Sequence, residues 1–214
     1  MMQKIDLPNW NRKILYDKFS RFQSPFFNIC ADVDVTELVA YTKANHLSYF
    51  QASFFLALKT INSIENFRLR LKDGEVILFD KIDGSAPILR DDGETFNYCV
   101  LDYFPDFPSF ADNAKTIIAE AKKARTINPG SMRIDIIHSS IIPWVSFHSF
   151  EHAKKIGTED TCPKIVMGKY FTEGEKIKMP LSVSGHHALM DGVHVGLYFK
   201  RIQEFLEAPQ EHLE

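Results

Sequence analysis

Residues 185–192 read Gly-His-His-Ala-Leu-Met-Asp-Gly, between a segment typical of a strand at 176–185 and a segment typical of a helix at 193–206. Glycine at both ends allows backbone angles and close approaches that other residues resist. Packing alone rarely requires two adjacent histidines with an acid four residues after the second. We therefore expect a functional site where this strand ends and this helix begins.

Apolar periodicity and turn residues outline the rest of the fold. Spacing of three to four residues predicts three helices: 10–22, 49–64 and 105–125. A start signal at Asp34 and Glu37 predicts a further helix. Short apolar or alternating segments predict seven strands besides 176–185: 26–33, 67–71, 76–79, 96–101, 133–140, 144–147 and 164–171. Asp73-Gly74 and Thr172-Glu173-Gly174 predict hairpin turns. Together these elements predict an α/β fold with a mixed, mainly antiparallel sheet packed with helices.

Composition narrows the class of protein. The 214 residues, 45% of them hydrophobic, fit one globular domain. Because 25 Lys and Arg nearly balance 28 Asp and Glu, no electrostatic footprint for nucleic acid is expected. Three scattered cysteines without a CxxC pair, Cys30, Cys99 and Cys162, indicate reduced thiols. The N-terminus lacks a hydrophobic signal region, and no apolar segment approaches the ~18–20 residues that span a bilayer. We expect a cytoplasmic protein without a membrane partner.

Three interpretations of the histidines compete. A metal site would draw on His186, His187, Asp191 and His194. Adjacent residues of a strand point to opposite sides, so His186 and His187 are poorly placed to bind one metal ion. His148 and His152 have suitable spacing, but no third ligand lies near them in sequence. A second interpretation makes the histidines core residues with satisfied hydrogen bonds. Base catalysis suits His187, because imidazole titrates near neutral pH and a hydrogen bond to its own backbone carbonyl would fix the tautomer.

The residues around this stretch resemble the chloramphenicol acetyltransferase family, whose signature HHxxxDG matches 186–192. Further matching motifs follow one another in the same order: Asn9-Trp10-Asn11-Arg12-Lys13, Phe67-Arg68, Lys72-Asp73-Gly74-Glu75, Glu94-Thr95-Phe96, Pro143-Trp144-Val145-Ser146-Phe147 with Ser149-Phe150, Met167-Gly168-Lys169-Tyr170 and Pro180-Leu181-Ser182-Val183. The resemblance runs from about residue 9 to residue 206. It implies the fold of CoA-dependent acyltransferases, a single acyltransferase domain over residues 1–214, and a homotrimer with active sites between subunits.

The resemblance also implies roles for particular residues. His187 matches the general base that deprotonates the acceptor hydroxyl, which then attacks the acetyl-CoA thioester directly. Ser140 matches the serine that stabilises the oxyanion, and Ser139 is its competitor should the register slip by one residue. Asp191 and Arg12 match a structural ion pair that holds the catalytic loop.

Substrate contacts follow from the same resemblance. Lys169 and Tyr170 match the pair that lies along coenzyme A, and Phe19, Phe27 and Phe96 match aromatic residues of the acceptor pocket. No metal is implied. Several residues depart from the apolar or aromatic side chains of the drug-resistance enzymes: Lys18, His152, Lys154 and Asp160, with Val166 in place of a threonine that helps hold a water molecule. Because buried charge beside an apolar ligand is costly, these departures put the acceptor itself in question.

Two further possibilities stay open from the sequence. In the first, the enzyme acylates another hydroxylated small molecule. The dihydrolipoyl acyltransferase domains share the fold, but they normally come with a lipoyl domain and a flexible linker, which we do not see in this sequence. Condensation domains of peptide synthetases share the signature but are far longer. From a different class, the chain may be a non-catalytic trimeric binding module that has kept the fold.

Overall fold

The computed structural model describes residues 2–153 and 160–214 and alternates short strands with helices. The helices are α1 Lys13–Phe19, α2 Thr36–Ala44, α3 Tyr49–Asn62, α4 Glu65–Arg68, α5 Phe107–Lys123 and α6 Gly192–Glu207. The strands are β1 Met2–Lys4, β2 Phe26–Asp34, β3 Leu69–Lys72, β4 Glu75–Phe79, β5 Asp83–Leu89, β6 Phe96–Leu101, β7 Ile136–Ile142, β8 Lys164–Gly168, β9 Phe171–Glu173 and β10 Lys176–His186. In these ranges no helix is both long enough and apolar enough to cross a bilayer.

A central sheet with the strand order β2-β10-β8-β7-β5-β6 organises the molecule, and β9 pairs with the outer part of β10. The pairs β5–β7 and β7–β8 are parallel, and the other pairs of this sheet are antiparallel. The α/β fold with a mixed, mainly antiparallel sheet is therefore confirmed. A second sheet of three short strands, β1-β4-β3, lies apart from it.

The two faces of the central sheet differ sharply in polarity. One face carries buried apolar side chains such as Leu181, Val183 and Ile165, which belong to the same hydrophobic core as the buried residues of α3 and α6. Gly84 on β5 lies so close to α3 that an added Cβ would stand 2.6 Å from the Phe54 ring. The opposite face, called the polar face below, carries these side chains in register: Asn28, His138, Lys164, Ser182 and Ser184.

Most predicted helices are confirmed with shifted ends. The helix expected at 49–64 is α3, and the helix expected at 105–125 is α5, which begins after Asp106 accepts a hydrogen bond from the Ser109 amide. The helix expected after Asp34 is α2, but its N-cap residue is Val35, and Asp34 accepts from the Thr36 amide at 3.0 Å instead of capping the helix. The helix expected at 10–22 is shorter, because a 3-10 turn and the extended backbone of Trp10 precede α1.

Hairpin turns are the best predicted local feature. Asp73 and Gly74 both have positive φ angles, 53° and 76°, and join β3 to β4. Gly174, with φ of 61°, lies in the turn between β9 and β10. Such angles cost a glycine little, whereas a Cβ would strain them.

Several parts of the strand prediction were wrong. Residues 67–68 belong to helix α4 instead of a strand, and the segment expected at 164–171 forms two strands, β8 and β9. Residues 144–147 form a turn and an irregular segment instead of a strand, and β7 ends before them at Ile142. No local pattern predicts β5, because Gly84, Ser85 and Pro87 disfavour an isolated strand and tertiary packing overrides that preference. β1 is three residues long and exposed, too short for a periodicity signal.

Candidate active site

The histidine loop, residues 187–191, closes tightly on the end of β10. The His187 amide donates to the Pro25 carbonyl at 2.8 Å, and the amides of Leu189 and Met190 donate to the His186 carbonyl at 2.9 and 3.0 Å. Gly185 permits this fold-back, because a Cβ there would lie 2.3 Å from the Met190 sulfur. The loop conformation therefore depends on the glycine that precedes the two histidines.

Arg12 ties the histidine loop to the start of α1 through three separate hydrogen bonds. Its Nη1 lies 2.8 Å from Asp191 Oδ2, its Nη2 donates to the His187 carbonyl at 3.1 Å, and its Nε donates to the Ala188 carbonyl at 3.4 Å. The side chain is 9% exposed, so little water competes for these contacts. Arg12 thus contacts Asp191, and it fixes two loop carbonyls that the sequence did not connect with it.

The Asp191 carboxylate contacts Arg12 with one oxygen and His194, in the first turn of α6, with the other. Burial opposes its ionisation, but the hydrogen bond and charge of Arg12, together with His194, lower the pKa of Asp191 below its ordinary value. His194 Nδ1 lies 2.9 Å from Asp191 Oδ1 and 3.1 Å from the Asp191 amide nitrogen; it donates to the carboxylate when it carries a proton and accepts from the amide when it does not. No bond runs from Asp191 to the His187 ring among these contacts, which suits a structural part for the carboxylate.

The His187 ring is oriented by two phenylalanines. Phe19 stacks on it with ring centroids 3.9 Å apart and planes 1° from parallel, and Phe27 lies 4.8 Å away at 43°. Within the described chain, His187 Nδ1 is buried and has no hydrogen-bond partner. The expected bond from Nδ1 to its own carbonyl is not formed, and that carbonyl accepts from Arg12. Aromatic packing, instead of a hydrogen bond, sets the ring orientation.

The two adjacent histidines diverge, as expected. His186 lies on the polar face, 5% exposed, with its ring edge toward Phe26 at 5.4 Å and Nδ1 accepting from the Ala188 amide. Burial, with repulsion from Lys164 partly offset by Asp160, lowers the pKa of His186 to about 4. His186 is thus a neutral buried residue, while His187 faces a different environment.

Ser140 and Ser139 occupy opposite faces of β7. Ser140 is in register with Val166 and therefore with Ser182 on the polar face. Ser139 points into the core, 4% exposed, and its hydroxyl has no partner in the part of the chain that the structure describes. Only Ser140 is directed toward the face from which a ligand can approach.

Ser140 and His187 do not meet within one chain. Ser140 stands two strands from β10, and His187 lies five residues beyond Ser182 along that strand. With strand spacings of about 4.8 Å and a rise of about 3.3 Å per residue, the two Cα atoms are roughly 19 Å apart. Phe96 begins β6, four strands from β10, and is still more remote from His187. The predicted residues therefore fall into two groups. The histidine half is His187 with Arg12, Phe19, Phe27 and Asp191, and the serine half is Ser140 with Phe96, Lys169 and Tyr170.

Lys169 and Tyr170 lie with the serine half, just after β8. The Lys169 amide donates to the Val145 carbonyl at 3.0 Å, and the Tyr170 ring meets Tyr49 edge-on at 5.4 Å. Both side chains are exposed, Tyr170 at 45%. A surface cation beside an accessible aromatic ring fits a ligand that carries phosphates and a flat base.

A cleft of about 380 Å³ opens on the polar face beside the histidine half. Its aromatic walls are Phe26, Phe27 and Phe150, and its polar floor is Asn28, Ser184 and Lys164. Phe27 also contacts the His187 ring, so the cleft and the histidine loop share a wall. Sequence reasoning missed Lys164, although a lysine in an otherwise apolar strand segment, two residues before Val166, was a usable signal.

Beneath the cleft lies a cluster of ionisable groups. One ligand atom each from His138, Asp160 and Cys162 lies within 4.8 Å of the others. Lys164 Nζ is already 2.8 Å from Asp160 Oδ2, so an ammonium stands where a metal ion would approach that carboxylate. Among the groups suggested earlier as metal ligands, Asp191 pairs with Arg12 and His194, and the Nδ1 atom of His186 accepts from the Ala188 amide.

The departures noted in the sequence fall at several places. Lys18 is exposed, with its ammonium 5.1 Å from the Phe19 ring centroid. His152 lines the cleft, Asp160 pairs with Lys164 below it, and Val166 is fully buried in register with Ser140. Lys154 lies outside the described residues.

Comparison with known proteins places this architecture. The family model described as chloramphenicol acetyltransferase matches residues 1–203. A chloramphenicol acetyltransferase of Staphylococcus aureus is 31% identical over 212 residues, which cover 98% of both chains. A solved chloramphenicol acetyltransferase superposes with a TM-score of 0.88 at 29% identity and covers 96% of this chain and 100% of its own. The Azotobacter vinelandii dihydrolipoamide acetyltransferase shares the fold, with a TM-score of 0.71 at 14% identity over 92% of this chain and 87% of its own.

Proposed function

This chain belongs to the chloramphenicol acetyltransferase family, and on that basis we propose that it transfers the acetyl group of acetyl-CoA to a hydroxyl of a small molecule, chloramphenicol or a related acceptor. It is an acyltransferase by family membership. The observation that carries the proposal is the His187 ring, clamped by Phe19 and Phe27 on a loop that Arg12 fixes, next to an open cleft.

In the proposed reaction, His187 removes the proton of the acceptor hydroxyl as the oxygen attacks the thioester carbonyl. The new C–O ester bond forms, the C–S bond breaks, and the proton returns to the departing coenzyme A thiolate. The stacked ring supports this role, because Phe19 restricts the direction in which the imidazole nitrogen can accept a proton. Ser140 donates a hydrogen bond to the oxyanion that develops on the carbonyl. Acetyl-CoA supplies the activated acyl group.

We assign coenzyme A to the surface of Lys169 and Tyr170 and the acceptor to the walls formed by Phe19, Phe27 and Phe96. The exposed cation and ring support the first assignment. Residues 1–214 are proposed to form a single acyltransferase domain without a bound metal. Three free cysteines support a cytoplasmic location, since reduced thiols are usual there.

The separation of the two halves supports a homotrimer. A hydroxyl cannot touch a base and an oxyanion donor that stand roughly 19 Å apart along one sheet. Cyclic association would bring the histidine half of one copy to the serine half of the next and generate three equivalent sites. Phe96, remote from His187 in its own chain, would then approach the His187 of a neighbouring copy.

A thiol-release assay tests the proposed function. The purified chain with acetyl-CoA should release free coenzyme A thiol slowly alone and much faster once chloramphenicol or another hydroxylated acceptor is added, and the acceptor should gain an acetyl ester by mass spectrometry. Acceptor binding without thiol release would favour the non-catalytic binding module instead. Release with other alcohols but not with chloramphenicol would favour a different acceptor, to which the charged cleft floor points.

A further inference from the structure

We propose that the cleft on the polar face selects acceptors that carry an anionic group, a carboxylate above all, and that Lys164 binds that group. This inference rests on the proposed acetyl transfer and narrows its substrate class. It starts from the fact that a lysine lines an aromatic-walled cleft that shares Phe27 with the surroundings of the His187 ring.

Two buried cations, Arg70 and Lys164, lie at and below the cleft floor. Arg70 is fully buried and donates its hydrogen bonds to four carbonyls: those of Phe67, Leu69, Ile134 and Ile136. The Lys164 side chain is 8% exposed. The only ion-pair partner that the structure gives Lys164 within the described residues is Asp160, which is 40% exposed and therefore partly screened by water. Lys164 thus has one half-exposed carboxylate as its partner, and Arg70 interacts electrostatically with Asp160 and Asp135.

Neighbouring groups respond to this environment. His138 is buried beside Lys164 and Arg70. Burial and these two charges lower the pKa of His138, although Asp160 opposes the effect. Both histidines of the polar face, His138 and His186, therefore remain neutral near pH 7. Burial opposes any unpaired charge in this region, whereas the charges of Lys164 and Arg70 disfavour a further cation and attract an anion.

The Lys164 ammonium has a donor left for a ligand. One N–H reaches Asp160 at 2.8 Å, and a second reaches the Cys162 carbonyl at 3.2 Å. The remaining direction faces the Phe26 ring, whose centroid is 4.0 Å away and which forms a wall of the cleft. A carboxylate offers a much stronger partner than a ring face, because a charge-assisted hydrogen bond adds to the Coulomb attraction.

The other polar groups of the floor are already engaged. Ser182 and Ser184 both donate to Asn28 Oδ1 at 2.8 Å, and the Asn28 amide donates to the Phe150 carbonyl at 3.1 Å. These bonds fix the floor and leave Lys164 as its cationic group. The Glu151 side chain lies at the exposed rim, where water screens its opposing charge. An acceptor with an aromatic ring between the walls and a carboxylate at Lys164 fits this arrangement.

Three primary alcohols that differ in one substituent test the charge preference: benzyl alcohol, 4-(hydroxymethyl)benzoate and 4-(aminomethyl)benzyl alcohol. In the thiol-release assay we expect kcat/KM for the benzoate to exceed that for the neutral alcohol by about tenfold, and the cationic alcohol to be the poorest. Lys164→Met should remove the preference. Lys115→Met, an exposed lysine on α5, serves as the matched control and should keep it. Asp160→Asn should strengthen the preference, since it removes the competing carboxylate.

Equal turnover of the three alcohols, or a preference for the cation, would overturn the inference while leaving acetyl transfer intact. An unchanged preference in Lys164→Met would also overturn it. If Lys164→Met does not fold, the opposite shift expected of Asp160→Asn remains a test, and its absence counts against the proposal. If none of the alcohols is acetylated, the same comparison is made by thermal stabilisation, and equal shifts for benzoate and benzyl alcohol would reject the carboxylate site.

Discussion

The histidine loop and the cleft floor lie on either side of Phe27, yet they use charge in opposite ways. In the loop, Arg12 holds the backbone in place, because it donates one hydrogen bond to Asp191 and two to the carbonyls of His187 and Ala188. In the floor, Lys164 keeps a donor directed at the cleft wall and has a half-exposed partner. The loop is therefore held in one geometry, whereas the floor keeps a cation to which, in our proposal, an anionic ligand binds.

The largest effect should follow from removing the base of the histidine loop. His187→Ala should lower kcat by up to about 10⁴-fold, the upper range for general base catalysis, because no other group replaces the imidazole between Phe19 and Phe27. The oligomeric state and melting temperature should stay close to those of the unaltered chain, measured by gel filtration and calorimetry. Turnover near the original rate would remove His187 from the mechanism.

Ser140→Ala should have the next largest effect, a loss of about 10²- to 10³-fold in kcat, which is typical of removing one oxyanion donor. KM for the acceptor should change little, because the bond strengthens in the transition state. Ser139→Ala is the matched control on the other face of β7, and its rate should stay within a few-fold of the original. If the two variants exchange behaviour, the register assigned to the serines is wrong.

Arg12→Ala should cost both stability and rate, because it frees two loop carbonyls and leaves Asp191 without its cation. We expect the free energy of unfolding to fall by about 3 kcal/mol, the low end for breaking a buried pair, since Asp191 is partly exposed. Urea unfolding measures the loss, and Arg125→Ala, an exposed arginine, is the control. A variant that is slow but fully stable would mean that Arg12 does not hold the loop.

A smaller, pH-dependent effect should sharpen the contrast with the floor. The pKa of His186 is lowered to about 4 in the fold, so below its ordinary value of about 6.5 the unfolded chain binds a proton that the folded chain does not. Stability should therefore fall as pH falls through this window, by about 2 kcal/mol between pH 7.5 and pH 5 from His186 alone.

His186→Gln should flatten that part of the pH profile in urea unfolding, although His138 contributes with the same sign. His46→Asn, at an exposed site with a positive φ that asparagine tolerates, is the control and should leave the profile unchanged. An equal slope with and without His186 would show that the residue is not held neutral in the fold.

Local sequence was sufficient where the physical cause is local. Asp73-Gly74 predicts its turn because only certain residues tolerate positive φ, and α3 follows from its apolar residues. The strand β5 could not be predicted, because Gly84 and Pro87 are accepted only through packing against α3 and pairing with β6. The HHxxxDG stretch identified the histidine loop and, through the family resemblance, its arginine partner.

The cleft floor could not be predicted in the same way. Lys164, Asn28 and Ser184 come from three strands that only the sheet register brings together. Nor could the sequence reveal that Arg12 donates to the His187 carbonyl, or that His187 Nδ1 has no hydrogen-bond partner among the described residues. Contacts between distant segments depend on topology, and the motifs carry no measure of distance.

The central claim is that one site takes its base from one copy and its oxyanion donor from another. Mixing His187→Ala with Ser140→Ala, by unfolding and refolding them together in equal amounts, tests this claim directly. Random assembly into trimers should give about a quarter of sites with both His187 and Ser140 intact, and activity should rise far above the sum of the separate variants. Activity that stays at that sum would show that both residues act within one chain and would contradict the account.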